Sequence, residues 1–163
     1  MSARSRRKRY TPRRNDPSGG LYAIERRQPL AEGAIRDIAL ISRSAFEKMR
    51  TGRGDTEDLF NVGFASNVAL LLTEGGFGRE CEPEIKAAQA ALLRAHDRLT
   101  SVGRVGLDGP GIAEISNMLD VFEAQLDAAI VGDMVDVLRE IHRRVEAGLV
   151  ANSAAEFRSE ACA

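Results

Sequence analysis

From Glu82 to Gly103 the chain reads EPEIKAAQAALLRAHDRLTSVG, with Ile85, Ala88, Leu92, Ala95, Leu99 and Val102 recurring at alternating steps of three and four. On a helix these residues share one stripe; on a strand they would divide between two faces, so only a helix buries them together. Pro83 suits the first turn, where its missing N–H costs nothing, and Gly103 supplies the stop. The same reading applies to DTEDLFNVGFASNVALLLTEGG. Asp55 is the expected N-cap, acids fill the first turn where the helix dipole favours them, and Gly75 and Gly76 end the helix. Phe60, Phe64, Val68 and Leu71 are its expected buried face. After the linker RVGLDG, Pro110 marks another start, with Ile112, Ile115, Met118, Leu119, Phe122, Leu126 and Ala129 as the stripe. A break near Gly132 leads to a last helix through Met134, Leu138, Ile141 and Val145, ending around Gly148.

Upstream the signals are mixed. In LAEGAIRDIALIS, Ile35, Ile38 and Ile41 suit a helix while DIALIS alternates as a strand would; the helix is preferred. Ser44 and Glu47 have capping-box spacing, which predicts a separate short helix ending at Gly52. Only RVGL offers itself as a strand, and an isolated strand pair would be marginal. The expected fold is therefore all-α: a bundle of four main amphipathic helices with short N-terminal helices and a disordered basic arm. Leu92, Leu99, Phe122 and Leu138 are its expected core. A length of 163 residues suits one such core. The expected division is an arm over 1–29, a bundle over 30–148 and a loosely ordered tail over 149–163.

Charge divides the chain unevenly. Seven of its 23 Lys and Arg fall in residues 1–14 and none of its 24 acids do, so the remainder carries 16 cations against 24 acids. Blocks of like charge stay solvated until they meet opposite charge, which makes the arm an interaction tail. The candidate binding residues are Arg4, Arg6, Arg7, Lys8, Arg9, Tyr10, Arg13 and Arg14. They suit either the phosphates of a nucleic acid, with Tyr10 stacking on a base, or an acidic protein surface. Breakers follow the basic start where a secretory signal would have an apolar run. The longest apolar stretch, Val68 to Leu72, is too short to span a bilayer, so no membrane partner is expected. Cys81 and Cys162 have no metal or redox spacing, which fits a reduced, cytoplasmic protein. Leftover apolar surface on several broad stripes makes a homodimer about a two-fold axis an expectation as well.

No motif spells out a reaction. A di-iron bundle needs Glu-x-x-His pairs, but Arg139 precedes His142 at that offset and Leu93 precedes His96. Zinc would need more Cys and His, and nothing marks a base for Cys81. Gly103, Gly106, Gly109 and Gly111 lead into a helix start beside Arg104, but a P-loop's lysine and hydroxyl are missing, so ordinary turn chemistry accounts for them. The RGD at Arg53–Asp55 is set aside because Asp55 is required as a cap. The acidic rows Asp120, Glu123, Asp127 and Asp133, Asp136, Glu140 read as solvated faces, with an acidic docking surface as the alternative. No enzymatic activity, cofactor or metal is expected.

From ISRSAFEKMRTGRGDTEDLFNV, through NVALLLTEGGFGRE and EIKAAQAALLRAHDR, to GRVGLDGPGIAEISNMLDVFEAQLDAAIVGDM, the order of features resembles a group of small uncharacterised phage and prophage-encoded helical proteins. These open with a basic segment of the form Arg-Lys-Arg-Tyr-x-Pro-Arg, matched by Arg7 to Arg13. The chain departs from that group in its longer C-terminal tail and in Ile130, where a small polar cap would be usual. The resemblance implies a phage origin and action in the cytoplasm of a bacterial host cell. Phage accessory proteins of this size suggest a non-enzymatic binder that modulates a host factor, including a defence system. The alternative is a nucleic-acid-binding accessory protein that uses the arm. Whether Arg26, Arg27, Arg36, Arg43 and Arg50 extend the arm's charge into one patch separates the two.

Overall fold

A computed structural model describes residues 17–148. Six α-helices occupy them: α1 (Pro17–Glu25), α2 (Glu32–Arg50), α3 (Thr56–Glu74), α4 (Glu82–Val102), α5 (Gly109–Ala128) and α6 (Val131–Glu146), with a 3-10 turn over Arg79–Cys81 before α4. The protein is an all-α bundle.

The helix ends follow local chemistry. Asp55 Oδ1 accepts from the Asp58 amide at 3.0 Å while Asp58 Oδ2 accepts from the Asp55 amide at 3.1 Å, so two orphan donors at the start of α3 are satisfied reciprocally. Gly103 closes α4 with φ +72°, a left-handed conformation that glycine adopts without strain. Ile130, which precedes α6, has no polar side chain. Asp133 Oδ2 instead reaches back 3.0 Å to the Ile130 amide, so half of a capping box suffices.

The N-terminal helices differ from expectation. No separate helix starts at Ser44: α2 is continuous across it, and Ser44 is exposed in its middle. An N-cap residue needs extended backbone, which would interrupt the stripe of Ile35, Ile38, Ser42, Ala45, Phe46 and Met49 that packs on the core; burial of that stripe wins over the local capping signal. Glu47 pairs with Arg50 instead of capping. The expected arm lies partly outside the described residues. Within them, Pro17–Glu25 is helical, and residues 26–29 are fastened to the α5–α6 corner. There the Gly132 amide donates to Arg26 O at 2.8 Å, the Val131 amide to Gln28 O at 2.9 Å, and Pro29 forms a lone antiparallel bridge with Ile130. A Cβ on Gly132 would lie 2.9 Å from Arg26 O, so glycine permits this approach. RVGL forms no strand; Val105 is buried as a core plug.

α3 is central, packing against α2, α4, α5 and α6. It is consequently buried on most sides, through Leu59, Val62, Ala65, Val68, Ala69 and Leu72, rather than along the single expected stripe. Phe60 and Phe64 lie nearer the surface and stack on one another, centroids 6.3 Å apart. Leu92 and Phe122 are core, and Leu99 packs partly buried against it. Leu138 is not core: it is 47 % exposed. α6 packs chiefly on α3, and Val137 takes the buried position there.

Candidate functional site

The eight candidate residues of the basic arm, Arg4 to Arg14, lie outside the described residues. What the structure places is the surface from which that arm departs. Arg26, at the end of α1, reaches Asp136 on α6 at 2.5 Å and Gly132 O at 3.1 Å. Arg43 on α2 bridges to α5, with Nε 2.6 Å from Glu123 Oε1 and a further contact to Asp120. Arg50 pairs with Glu47 at 2.7 Å. Each of these guanidiniums is held above its ordinary pKa, chiefly by the hydrogen bond to its carboxylate partner. Arg27 and Arg36 are exposed and have no ion pair among the described residues. Three of the five body arginines are thus paired with the body's own acids.

The acidic rows prove to be clamps more than solvated faces. Asp120 and Glu123 hold α2 to α5 through Arg43. Asp136 holds the end of α1 through Arg26 and also meets Arg139. Glu140 accepts from Arg143 and Arg144, whose hydrogen bonds pull its carboxyl from the ordinary 4.5 to about 2. Arg144 also crosses to Glu74 on α3 at 3.0 Å.

The glycine-rich approach to α5 carries its own anion. Asp108 caps the helix, with Oδ1 accepting from the Gly111 amide at 2.7 Å, and Arg94 holds the other oxygen at 3.0 Å. Those two contacts, Arg94 first, keep the Asp108 carboxyl below its ordinary value. Arg98 Nη1 donates to Gly106 O at 3.2 Å. A phosphate at this helix end would have to displace Asp108, so turn and cap chemistry accounts for the segment. Asp55 is likewise committed as the α3 cap, which accounts for RGD.

Among the described residues no group of three or more His, Cys, Asp and Glu is placed to hold a metal ion, and no helix is long and apolar enough to cross a membrane. His142 is exposed beside Glu146 at 3.3 Å. Cys81 is half-buried, and burial followed by the charges of Glu80 and Glu84 raises its pKa, which disfavours the nucleophilic thiolate.

Shallow grooves mark the surface, two of them beside α3 and α5. One, of about 300 Å³, runs between the end of α3 and α6, with Leu71, Leu72 and Val137 below Glu74, Asp136 and Glu140. The other, of about 400 Å³, lies between the turn before α4 and the outer face of α5, over Phe77, Val121, Ala124 and Ala128. Sequence reasoning missed both. The one available signal for the second was the small pair Ala124 and Ala128, a turn apart on a face that also carries Asp120. Compared with protein families, curated proteins and solved structures, the chain matches none.

Proposed function

We propose that this chain is a non-enzymatic binding protein, of phage or prophage origin, that modulates or inhibits a host factor such as a defence component through protein–protein contacts. The supporting observation is the neutralisation of the body's arginines. Arg26, Arg43 and Arg50 are paired within the bundle, and residues 17–148 hold 15 Lys and Arg against 21 Asp and Glu. A nucleic acid drawn in by the arm would then meet a body of its own sign, whereas a protein partner gains both electrostatic capture by the arm and a helical surface for specificity.

The test is a pull-down from bacterial lysate, with and without nuclease, using intact protein and protein lacking residues 1–14. The expected result is a defined protein that survives nuclease and is still retained, more slowly acquired, without the arm. Capture of nuclease-sensitive material alone overturns the reading in favour of a nucleic-acid-binding accessory protein. In that case affinity for duplex DNA falls with salt at a log–log slope of about −4 to −6, from most of seven phosphate contacts.

A further inference from the structure

The groove beside α5 has a composition that asks for a particular occupant. Its floor is apolar, from Phe77, Val121, Ala124 and Ala128, and its rim carries Glu80 and Asp120. In the α3–α6 groove Glu74, Asp136 and Glu140 are engaged by Arg26, Arg139, Arg143 and Arg144, and Asp133 accepts from the Ile130 amide. Here Asp120 is held by Arg43, but among the described residues Glu80 has no ion pair. Neither has Glu84, whose charge is felt at Cys81, nor Asp127, two turns from Asp120 along α5. One buried polar group at the floor is also incompletely satisfied. Gln125 is 4 % exposed, its Nε2 lies within hydrogen-bond distance of Ala69 O, Thr73 Oγ1 and Phe77 O, three acceptors for two N–H groups, and its Oε1 has no hydrogen-bond partner among the described residues.

The complementary ligand is an extended segment with cations on either side of one large, partly apolar side chain. The chain contains such a segment, RKRYTPRR over Arg7–Lys8–Arg9, Tyr10 and Pro12–Arg13–Arg14. Pro12 favours extended backbone at the residue before it. Position agrees with composition. Ala128, at one end of the groove, is two residues before Ile130, and Ile130 is bridged to Pro29. The N-terminal segment is therefore fastened beside the groove's mouth. From Pro29 back to Tyr10 the nine residues of α1 span about 14 Å and the seven residues 10–16 can add at most about 23 Å, against roughly 12 Å of groove from Ala128 to Asp120.

We propose that the groove is the docking site of this chain's own basic arm, with Tyr10 over the floor and Arg9 and Arg13 at the acids Glu80, Glu84 and Asp127. The contact is internal to the chain and stands whether the arm's external partner is a protein or a nucleic acid. Any acidic partner then competes with the groove for the same cations, and the groove sets a threshold for capture.

Cys81 lines the groove and allows a direct trap in the full chain. With Cys162→Ser in place and oxidised glutathione supplied as the two-electron oxidant, Tyr10→Cys is expected to close an intramolecular disulfide with Cys81 about 10-fold faster than a Ser2→Cys control, as a docked thiol has the higher effective concentration. The advantage should vanish in 1 M salt, where screening shortens to about 3 Å. It should also vanish with Ala124→Arg, an exposed floor position where a cation repels the arm. Equal rates for Tyr10→Cys and Ser2→Cys, or indifference to Ala124→Arg, overturn the proposal. A disulfide-linked dimer as the main product also overturns it, by placing the arm of a second copy in the groove. A second measurement leaves Tyr10 intact. Replacing Arg9 and Arg13 by Ala in the full chain should shift the backbone amide resonances of Val121, Ala124 and Ala128 and leave that of Val137 in place. Unmoved resonances at α5 overturn the docking site.

Discussion

The side-chain nitrogen of Gln125 on α5 stands 2.8 Å from the hydroxyl of Thr73 on α3, and both side chains are buried. The same nitrogen donates to Phe77 O at 2.9 Å and lies 3.2 Å from Ala69 O. One amide thus ties the last turn of α3, and the loop that leaves it, to the last turn of α5.

Replacing Gln125 with Leu should keep most of the volume but leave the Phe77 carbonyl without its donor, at a cost of about 1–3 kcal/mol in urea unfolding. Gln125→Glu should cost more at neutral pH, because an acceptor-only carboxylate would face carbonyl oxygens. Burial raises the pKa of such a carboxyl in the folded state above its unfolded value of about 4.3. The variant's deficit relative to Gln125→Leu should therefore be smallest below that pH and grow as pH rises. A pH-independent deficit would show that the site is hydrated.

Phe122→Ala should destabilise the protein by about 3–5 kcal/mol, since the ring is 2 % exposed against α3 and α4 packing partners in the core. Leu138→Ala should cost less than about 1 kcal/mol, because nearly half of that side chain already meets water. Denaturant midpoints at constant slope measure both; a reversed order would mean that α6 packs more deeply than through Val137.

The Glu140 carboxyl is depressed from 4.5 to about 2 by Arg143 and Arg144. For a depressed carboxylate the stabilisation is present above the unfolded pKa and is lost as pH falls through the folded one. Glu140→Gln should therefore lower the thermal midpoint at pH 6, with the difference from the parent protein shrinking between about pH 4.5 and pH 2. A difference that persists unchanged at pH 2 would assign the effect to packing, not charge.

The helices bounded by strong punctuation were legible in the sequence. Asp55 caps α3, Gly75 and Gly103 end α3 and α4, and Pro83 and Pro110 fall in first turns, because caps and stops are decided within four residues. The continuity of α2 was not legible. Ser44 and Glu47 form a local pattern that only the packing of Phe46 and Met49 overrides, and packing is not a local quantity. Leu138 shows the complementary limit: a stripe identifies the apolar side of α6 but not how many neighbours cover it. The clamps Arg26–Asp136 and Arg43–Glu123 join residues 110 and 80 positions apart, so spacing within either helix could show only that acids share a row. The arm was visible as composition, while the groove proposed to receive it is made of the turn before α4 and α5 and exists only once they meet.

The attachment of the outer helices is serial. α6 rests chiefly on α3, and the end of α1 is fastened to the start of α6 through Arg26, Gln28 and Pro29. α3 touches all four of its neighbours and can exchange its amide hydrogens only when the whole bundle opens, whereas α6 can lift from one side. Such an excursion carries the α1 anchor with it. The N-terminal segment is therefore bound to the least cooperative edge of the fold, and amide protons of Gly132 and Val131 report on both helices at once: their exchange rates measure how often this edge comes free while the rest of the molecule stays folded.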